Sequence, residues 1–196
     1  MASFELVDIG LIKKMARTGK PLIMSTGMAS EEEISEAVAA ARGAGATQIA
    51  LLKCTSAYPA SPEEMNLRTI PEMVRQFKVP VGLSDHSQGI AVPVAAVALG
   101  ACIVEKHLTL SRSDKGPDNS FSLEPQEFRE MVAAVLGSLS LNLIADPATS
   151  LAARGGLASR DGFWGVGIRF APRASCLPVK GISASGIRFA PPMTLC

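Results

Sequence analysis

Short apolar runs alternate with amphipathic segments over the first 140 residues of the chain. Five of the runs have the length and composition of β-strands. They cover residues 1–5, 21–25, 49–54, 79–84 and 101–105. The run at 49–54 is apolar at nearly every position, as expected for a strand that is buried on both faces.

Helix signals lie between these runs. Ser30 followed by Glu33 is a capping box, and Gly43 comes where the apolar periodicity of that helix ends. Further helices are predicted at residues 11–17, before Phe77, at residues 92–99 and from Pro125 onward.

This alternation predicts an α/β fold. Strands that are apolar on both faces and separated by helices form parallel sheets that helices cover. One strand and one helix recur about every 20–35 residues, which suits a doubly wound sheet or a (β/α)₈ barrel.

Polar side chains cluster where the predicted strands end. The cluster contains Ser3, Glu5, Ser25, Thr26, Thr55, Ser56, Tyr58, Ser84, Asp85, His86, Glu105 and His107. In both architectures the carboxyl ends of the strands hold the chemistry. Hydroxyl groups there can bind phosphate or carboxylate oxygens, or they can simply cap the helices that follow.

The chain has only two histidines, His86 and His107, at the ends of consecutive predicted strands. Neighbouring strands lie about 4.8 Å apart, so both imidazoles could bind one ion such as Mn²⁺, Zn²⁺ or Fe²⁺. Two imidazoles form an incomplete ligand shell, which water, a carboxylate or a substrate would fill. The alternative is two unrelated histidines, one packed and one solvated.

Three acids, Glu5, Glu105 and Asp118, lie at or just beyond strand ends. Each could act as a general base, support a histidine or orient a sugar hydroxyl, or it could simply be solvated at the rim. Lys106 stands between Glu105 and His107 and therefore points to the other face of its strand. We predict a structural ion pair for Lys106.

Composition limits the alternatives. The formal net charge is +1, which favours neither nucleic acid nor an acidic membrane surface as a partner. The sequence contains no apolar stretch of membrane-spanning length and no signal-peptide pattern, so a cytoplasmic protein is predicted. The four cysteines form no Cys-x-x-Cys pair, which predicts reduced, mostly buried thiols.

Residues 141–196 have a different character, with more Gly, Pro, Ser and Arg and little helical periodicity. The hexamer Gly-Ile-Arg-Phe-Ala-Pro occurs at 167–172 and again at 186–191, and two short copies are too few for a repeat architecture. We expect an irregular tail here.

Several motifs together resemble the sialic acid synthase family over residues 1–140. They are Ser-Phe-Glu (3–5), Ser-Thr-Gly-Met (25–28), Lys-Cys-Thr-Ser-Ala-Tyr-Pro (53–59), Leu-Ser-Asp-His (83–86), Glu-Lys-His (105–107) and Gly-Pro-Asp (116–118). Cys-Thr-Ser-x-Tyr-Pro and Asp-x-x-Phe-Ser-Leu-Glu-Pro (118–125) look most like the pseudaminic acid synthase branch. N-acetylneuraminate synthases and related spore-coat or legionaminic enzymes remain as alternatives.

The resemblance implies a TIM barrel followed by a small antifreeze-like domain, in a homodimer. It implies condensation of phosphoenolpyruvate with an acetamido sugar aldehyde: carbon 3 attacks the aldehyde, water adds at carbon 2, and phosphate leaves. A divalent metal, Mn²⁺ or alternatively Mg²⁺ or Co²⁺, would act as the Lewis acid.

The same resemblance implies roles for most of the polar residues at the predicted strand ends. The metal ligands are His86 and His107. The catalytic candidates are Glu5, Tyr58 and Glu105. The substrate-binding candidates are Ser3, Ser25, Thr55, Ser56, Ser84 and Asp118, of which Ser3, Ser25 and Ser84 would contact phosphoenolpyruvate.

The five predicted strands match the fourth to eighth strands of the family barrel. The first three strands, which should carry a catalytic glutamate and basic phosphate-binding residues, have no counterpart here. A truncated gene model with a shifted reading frame after about residue 140 would explain both this and the tail, and we expect little turnover by this chain alone. Two other readings stay open: a non-catalytic product or interaction module, and a different metal-dependent aldolase-type barrel.

Overall fold

The computed structural model describes residues 1–140, which form an α/β half-barrel. Its sheet has four parallel strands in sequential order: β1 (Leu22–Ser25), β2 (Ile49–Cys54), β3 (Val81–Asp85) and β4 (Val104–Lys106). The helices are α1 (Ile9–Ala16), α2 (Glu31–Gly43), α3 (Thr69–Phe77), α4 (Ala91–Ala98) and α5 (Pro125–Ser140). The predicted α/β class and partial barrel are confirmed.

The helix ends follow their sequence signals. In α2, the Ser30 hydroxyl accepts a hydrogen bond from the Glu33 amide (3.3 Å), and the Glu33 carboxylate accepts one from the Ser30 amide (2.7 Å). This is the predicted capping box, and α2 ends at Gly43. Helix α1 begins two residues earlier than predicted, because the Asp8 carboxylate accepts a hydrogen bond from the Leu11 amide and caps it (2.9 Å).

The two faces of the sheet bury different side chains. Leu51 and Leu83 lie in the main apolar core, together with residues of α1 to α4 such as Ile12 and Ile70. The opposite face carries a smaller cluster, Ala50, Leu52, Cys102 and Ile103, with Ile23 packed against it. Because alternate residues of a strand share a face, Cys54 and Glu105 lie on this second face, nearer the carboxyl ends.

The prediction of a strand at residues 1–5 is wrong. Met1 alone is paired in strand fashion: its amino group donates to the Ile23 carbonyl (3.0 Å), and its carbonyl accepts from the Ser25 amide (3.1 Å). The chain then turns into a 3-10 helix at Ser3–Glu5, where the Glu5 carboxylate accepts a hydrogen bond from the Ala2 amide (2.8 Å). That contact closes a turn, so four strands stand where five were predicted.

Three further predictions concern membrane-spanning helices, the cysteine thiols and the tail. No helix within residues 1–140 is long and apolar enough to cross a bilayer. The thiols of Cys54 and Cys102 are buried, as predicted. The expected irregular tail at 141–196, together with Cys176 and Cys196, lies outside the described residues.

Candidate active site

The two histidines lie side by side at the carboxyl edge of the sheet. Strands β3 and β4 each end one residue later than predicted, at Asp85 and Lys106, which face each other in register. His86 and His107 follow directly, and their ring centroids are 5.2 Å apart with the ring planes at 71°. The structure therefore brings together the pair that the sequence placed on neighbouring strands.

The orientation of the His86 ring is set by Thr55, the residue that follows β2. Its Nδ1 lies 2.9 Å from the carbonyl oxygen of Thr55. A carbonyl can only accept, so Nδ1 carries the proton of the neutral ring and the lone pair lies on Nε2. Burial lowers the pKa of His86, but hydrogen bonds with Cys54, whose Sγ lies 3.9 Å away, and with Thr55 outweigh burial and raise the pKa overall.

His107 lies against the loop that follows β4. The Asp118 carboxylate is 3.7 Å from its Nδ1, a long contact between two partly exposed side chains. Burial lowers the pKa of His107, and the neighbouring His86 ring lowers it further. The structure thus places Asp118 beside His107, and its role in binding the sugar stays a prediction.

Aromatic rings enclose the histidine pair. Tyr58 stacks on His86 with ring centroids 4.2 Å apart, and Phe121 packs edge-on against His107 at 5.2 Å. Tyr58 keeps 52% of its surface exposed. Burial of its hydroxyl, and then the nearby Cys54, raise the pKa of Tyr58, so the hydroxyl stays protonated. The sequence identified Tyr58 but missed Phe121, although Phe121 lies within the motif that begins at Asp118.

Ser3, Gly27, Cys54 and Ser56 form a hydroxyl cradle beside His86. The Ser3 hydroxyl accepts a hydrogen bond from the Gly27 amide (3.0 Å), so it binds a loop amide and does not cap a helix. A Cβ on Gly27 would lie 2.5 Å from Ser56 Oγ and 2.9 Å from Cys54 Sγ. Ser56 Oγ is buried and has no hydrogen-bond partner among the described residues. The cradle thus offers a hydroxyl to an incoming oxygen.

A second polar contact lies one layer below the histidines. Ser84 and Glu105 face each other in register, and the Ser84 hydroxyl donates to the Glu105 carboxylate (2.7 Å). Ser25 is buried at the end of β1. The Thr55 hydroxyl accepts from the Lys53 ammonium (2.9 Å), so Thr55 contacts His86 through its carbonyl and not its side chain.

Among the residues predicted from the sequence, Glu5 makes none of the contacts described above. Its exposed carboxylate binds the Ala2 amide within the N-terminal 3-10 turn. The catalytic role proposed for Glu5 stays a prediction.

Replacement of Gly27 by alanine should destabilise the fold by about 1–3 kcal/mol, because the added Cβ overpacks the cradle. Ser3 and Ser56 would have to move, since the Cβ would meet their hydroxyl oxygens at 3.0 and 2.5 Å. Gly43→Ala is the matched control: nothing lies within 4 Å of its Cβ, and alanine at this helical position should stabilise by about 0.5–1 kcal/mol. Urea unfolding of both variants checks the prediction, and equal stabilities would contradict it.

A model of the NeuB family matches residues 1–140. The chain belongs to the NeuB family. Its relatives include a Methanocaldococcus jannaschii protein of uncharacterised function (48% identical), the pseudaminic acid synthase of Helicobacter pylori (43%) and the N,N'-diacetyllegionaminic acid synthase of Campylobacter jejuni (45%). These matches cover 67–71% of this chain and 39–41% of each relative. This NeuB-family chain thus spans about two fifths of the length of the curated relatives it matches.

Solved structures show the same relationship. The N-acetylneuraminic acid synthetase of Leptospira borgpetersenii superposes with a TM-score of 0.71 at 32% identity, over 82% of this chain and 58% of that one. The spore coat polysaccharide biosynthesis protein spsE of Bacillus subtilis gives 0.68 at 40% identity, over 71% and 39%. A truncated 3-deoxy-D-arabino-heptulosonate 7-phosphate synthase of Thermotoga maritima (0.62, 21% identity) shares the fold.

Proposed function

We propose that this NeuB-family chain is the carboxyl-terminal part of the barrel of a nonulosonic acid synthase. The reaction would condense phosphoenolpyruvate with an acetamido sugar aldehyde and release phosphate. The observation that supports this proposal best is the pair of imidazoles at the ends of β3 and β4, 5.2 Å apart and bordered by the hydroxyl cradle.

The two histidines fit a divalent cation as part of its ligand shell. The hydrogen bond from His86 Nδ1 to Thr55 leaves Nε2 free to bind a metal, which is the usual arrangement behind a metal-binding imidazole. Within residues 1–140, no group of three or more His, Cys, Asp and Glu side chains is placed to hold an ion. Water or substrate oxygens would therefore complete the shell, as in an open catalytic site.

Mn²⁺ is our proposed ion, with Co²⁺ and Mg²⁺ as alternatives. A shell of two imidazoles and several water or substrate oxygens suits Mn²⁺ or Co²⁺, whereas Mg²⁺ prefers oxygen ligands alone. When bound, the cation supplies Lewis-acid polarisation of the sugar aldehyde.

The remaining residues divide into two groups by position. Ser25 and Ser84 are buried at the carboxyl ends of β1 and β3, and Ser3 is buried beside Gly27 in the loop after β1. Their hydroxyls are suited to the anionic oxygens of phosphoenolpyruvate. Tyr58 and Asp118 border the histidines on the more exposed side, where a sugar would enter. Fixed donors of this kind stabilise developing charge without reorganisation, which is the largest contribution expected to the rate.

Glu105 is our candidate for proton transfer at carbon 2. Its carboxylate is oriented by the Ser84 hydroxyl and precedes His107 by two residues on the same strand face. In that position it can accept a proton from the water that adds at carbon 2.

We favour the pseudaminic acid precursor, 2,4-diacetamido-2,4,6-trideoxy-altrose, as the acceptor, and N-acetylmannosamine is the alternative. The support is the pair of motifs at 54–59 and 118–125. Overall identity does not separate the branches, because pseudaminic and legionaminic acid synthases match at 43% and 45%.

Chimeras with full-length relatives test this function, because the host enzyme supplies the rest of the barrel. Residues 1–140 would replace the matching segment of the Helicobacter pylori pseudaminic acid synthase, and separately that of the Leptospira synthetase. Phosphate release is then measured with Mn²⁺, phosphoenolpyruvate and the acceptor of each host. We expect the first chimera to retain more of its parent's activity. If only the second is active, N-acetylmannosamine becomes the acceptor; if both fold and neither releases phosphate, the proposed function is wrong.

Mn²⁺ affinity should fall with acidity, because only neutral imidazoles bind metals. The pKa of His86 is raised and that of His107 is lowered, so His86 takes up its proton first as the pH falls. Affinity should decrease about tenfold per pH unit below the pKa of His86 and about a hundredfold per unit below both. Mn²⁺ titrations from about pH 8 to about pH 5 measure this, and an affinity independent of pH would contradict imidazole binding.

A further inference from the structure

A buried ion pair lies directly behind the two histidines. The Lys106 ammonium is 2.6 Å from the Asp85 carboxylate, and the two side chains are 1% and 0% exposed. Asp85 immediately precedes His86, and Lys106 immediately precedes His107. Since successive side chains of a strand point to opposite faces, the ion pair occupies the face behind the imidazoles.

The pair stands where regular strand pairing stops. Asp85 and Lys106 are the last residues in register between β3 and β4. Beyond them the two segments separate: one leads to α4, and the other pairs through Leu108 with Leu123. The two histidines therefore lie beyond the backbone hydrogen bonds that join β3 and β4. The ion pair links the two strands at the residues that directly precede the histidines.

The same charged groups also fix the backbone of His86. The Asp85 carboxylate accepts a hydrogen bond from the Ser87 amide (2.9 Å), which makes a turn with His86 at its centre. The Lys106 ammonium donates to the Ser87 carbonyl. From the other side, the Ala60 amide donates to the His86 carbonyl (2.9 Å). His86 is thus held on both sides by directional bonds.

We propose that Asp85 and Lys106 are positioning residues, which hold the His86 and His107 rings at the separation and orientation that metal binding requires. This inference rests on the proposed function. Burying two charges is costly, and an apolar pair of similar volume would join β3 and β4 at least as well. Apolar contacts have no direction, whereas the ion pair makes directed bonds to the residues on either side of His86.

The double variant D85L/K106M separates positioning from stability. Removing one charge alone would strand the other in the core, whereas apolar replacement of both is often neutral or stabilising. In the full 196-residue chain, we expect unfolding by urea to be unchanged or harder, and Mn²⁺ affinity to fall at least about tenfold. The control is R112M, which removes the partly exposed ion pairs of Arg112 with Glu124 and Glu127 and should alter neither quantity.

A readout in the metal-free protein keeps this test independent of the proposed function. The chain has only two histidines, so ¹⁵N-histidine labelling gives two pairs of ring-nitrogen signals, one pair per ring, which report tautomer and environment. The wild type should show the Nδ1-protonated tautomer at one ring, and D85L/K106M should show a mixture of tautomers. If the double variant does not fold, D85N/K106M keeps an oxygen for the Ser87 amide and gives the same comparison.

The outcomes distinguish the two proposals. Unchanged ring signals and unchanged Mn²⁺ affinity in a folded double variant would overturn the positioning role. Altered ring signals support the positioning role, whether or not the wild type binds Mn²⁺. Failure of the wild type to bind Mn²⁺ would overturn the metal site alone.

Discussion

Replacement of either His86 or His107 by alanine is expected to weaken Mn²⁺ binding about 100-fold or more, with the chain still folded. Substituting residues that merely support a metal ligand commonly costs about 10- to 100-fold, and each of these imidazoles would itself be one of the two proposed protein ligands. Titration with Mn²⁺, with the free ion detected by electron paramagnetic resonance, measures the loss. Urea unfolding of each variant shows whether the fold is retained.

The matched control is Asp114→Asn. Asp114 is an exposed residue in the same loop as Asp118, but its side chain is not a member of the candidate active site. Its removal should leave Mn²⁺ affinity within about twofold, since screened surface charges contribute little at this range. A double variant combines His86→Ala with His107→Ala. If it binds Mn²⁺ as tightly as the wild type, the metal site lies elsewhere.

Leu83→Ala is expected to destabilise the protein by about 2–5 kcal/mol, the cost of a cavity in a packed core. Leu83 is 0% exposed on β3, which pairs with strands on both sides. The same truncation at Leu110, which is 72% exposed, should change the free energy of unfolding by no more than about 0.5 kcal/mol. Urea unfolding of both variants gives the comparison, and similar losses would contradict the assignment of the core.

Much of the fold could be predicted because β1, β2 and β3 are buried along nearly their whole length. The bounds of β2 agree with the predicted run at 49–54, and the capping box of Ser30 and Glu33 forms as predicted. The proximity of His86 and His107 followed from their places at the ends of neighbouring parallel strands. Lys106 was predicted to make an ion pair because it alternates with His107, and the register then identifies Asp85 as its partner.

The failures come from contacts that the alternation of apolar and polar residues does not encode. The strand predicted at residues 1–5 is interrupted because the Glu5 side chain reaches back to the Ala2 amide. Phe121 joins the histidines only because its loop folds back beside β4, where Leu123 pairs with Leu108. Cys54 was predicted to be only a buried thiol. It lies two residues beyond Leu52, on the sheet face that carries the site.

The central claim is that both histidines bind one divalent cation, and pulsed electron paramagnetic resonance of Mn²⁺ bound to the full chain tests it most directly. Nitrogen nuclei that bind the ion give couplings that change when histidine is labelled with ¹⁵N. We predict couplings from two imidazoles, one lost in His86→Ala and the other in His107→Ala. Bound Mn²⁺ with no imidazole coupling, or with one that survives both substitutions, would contradict the account.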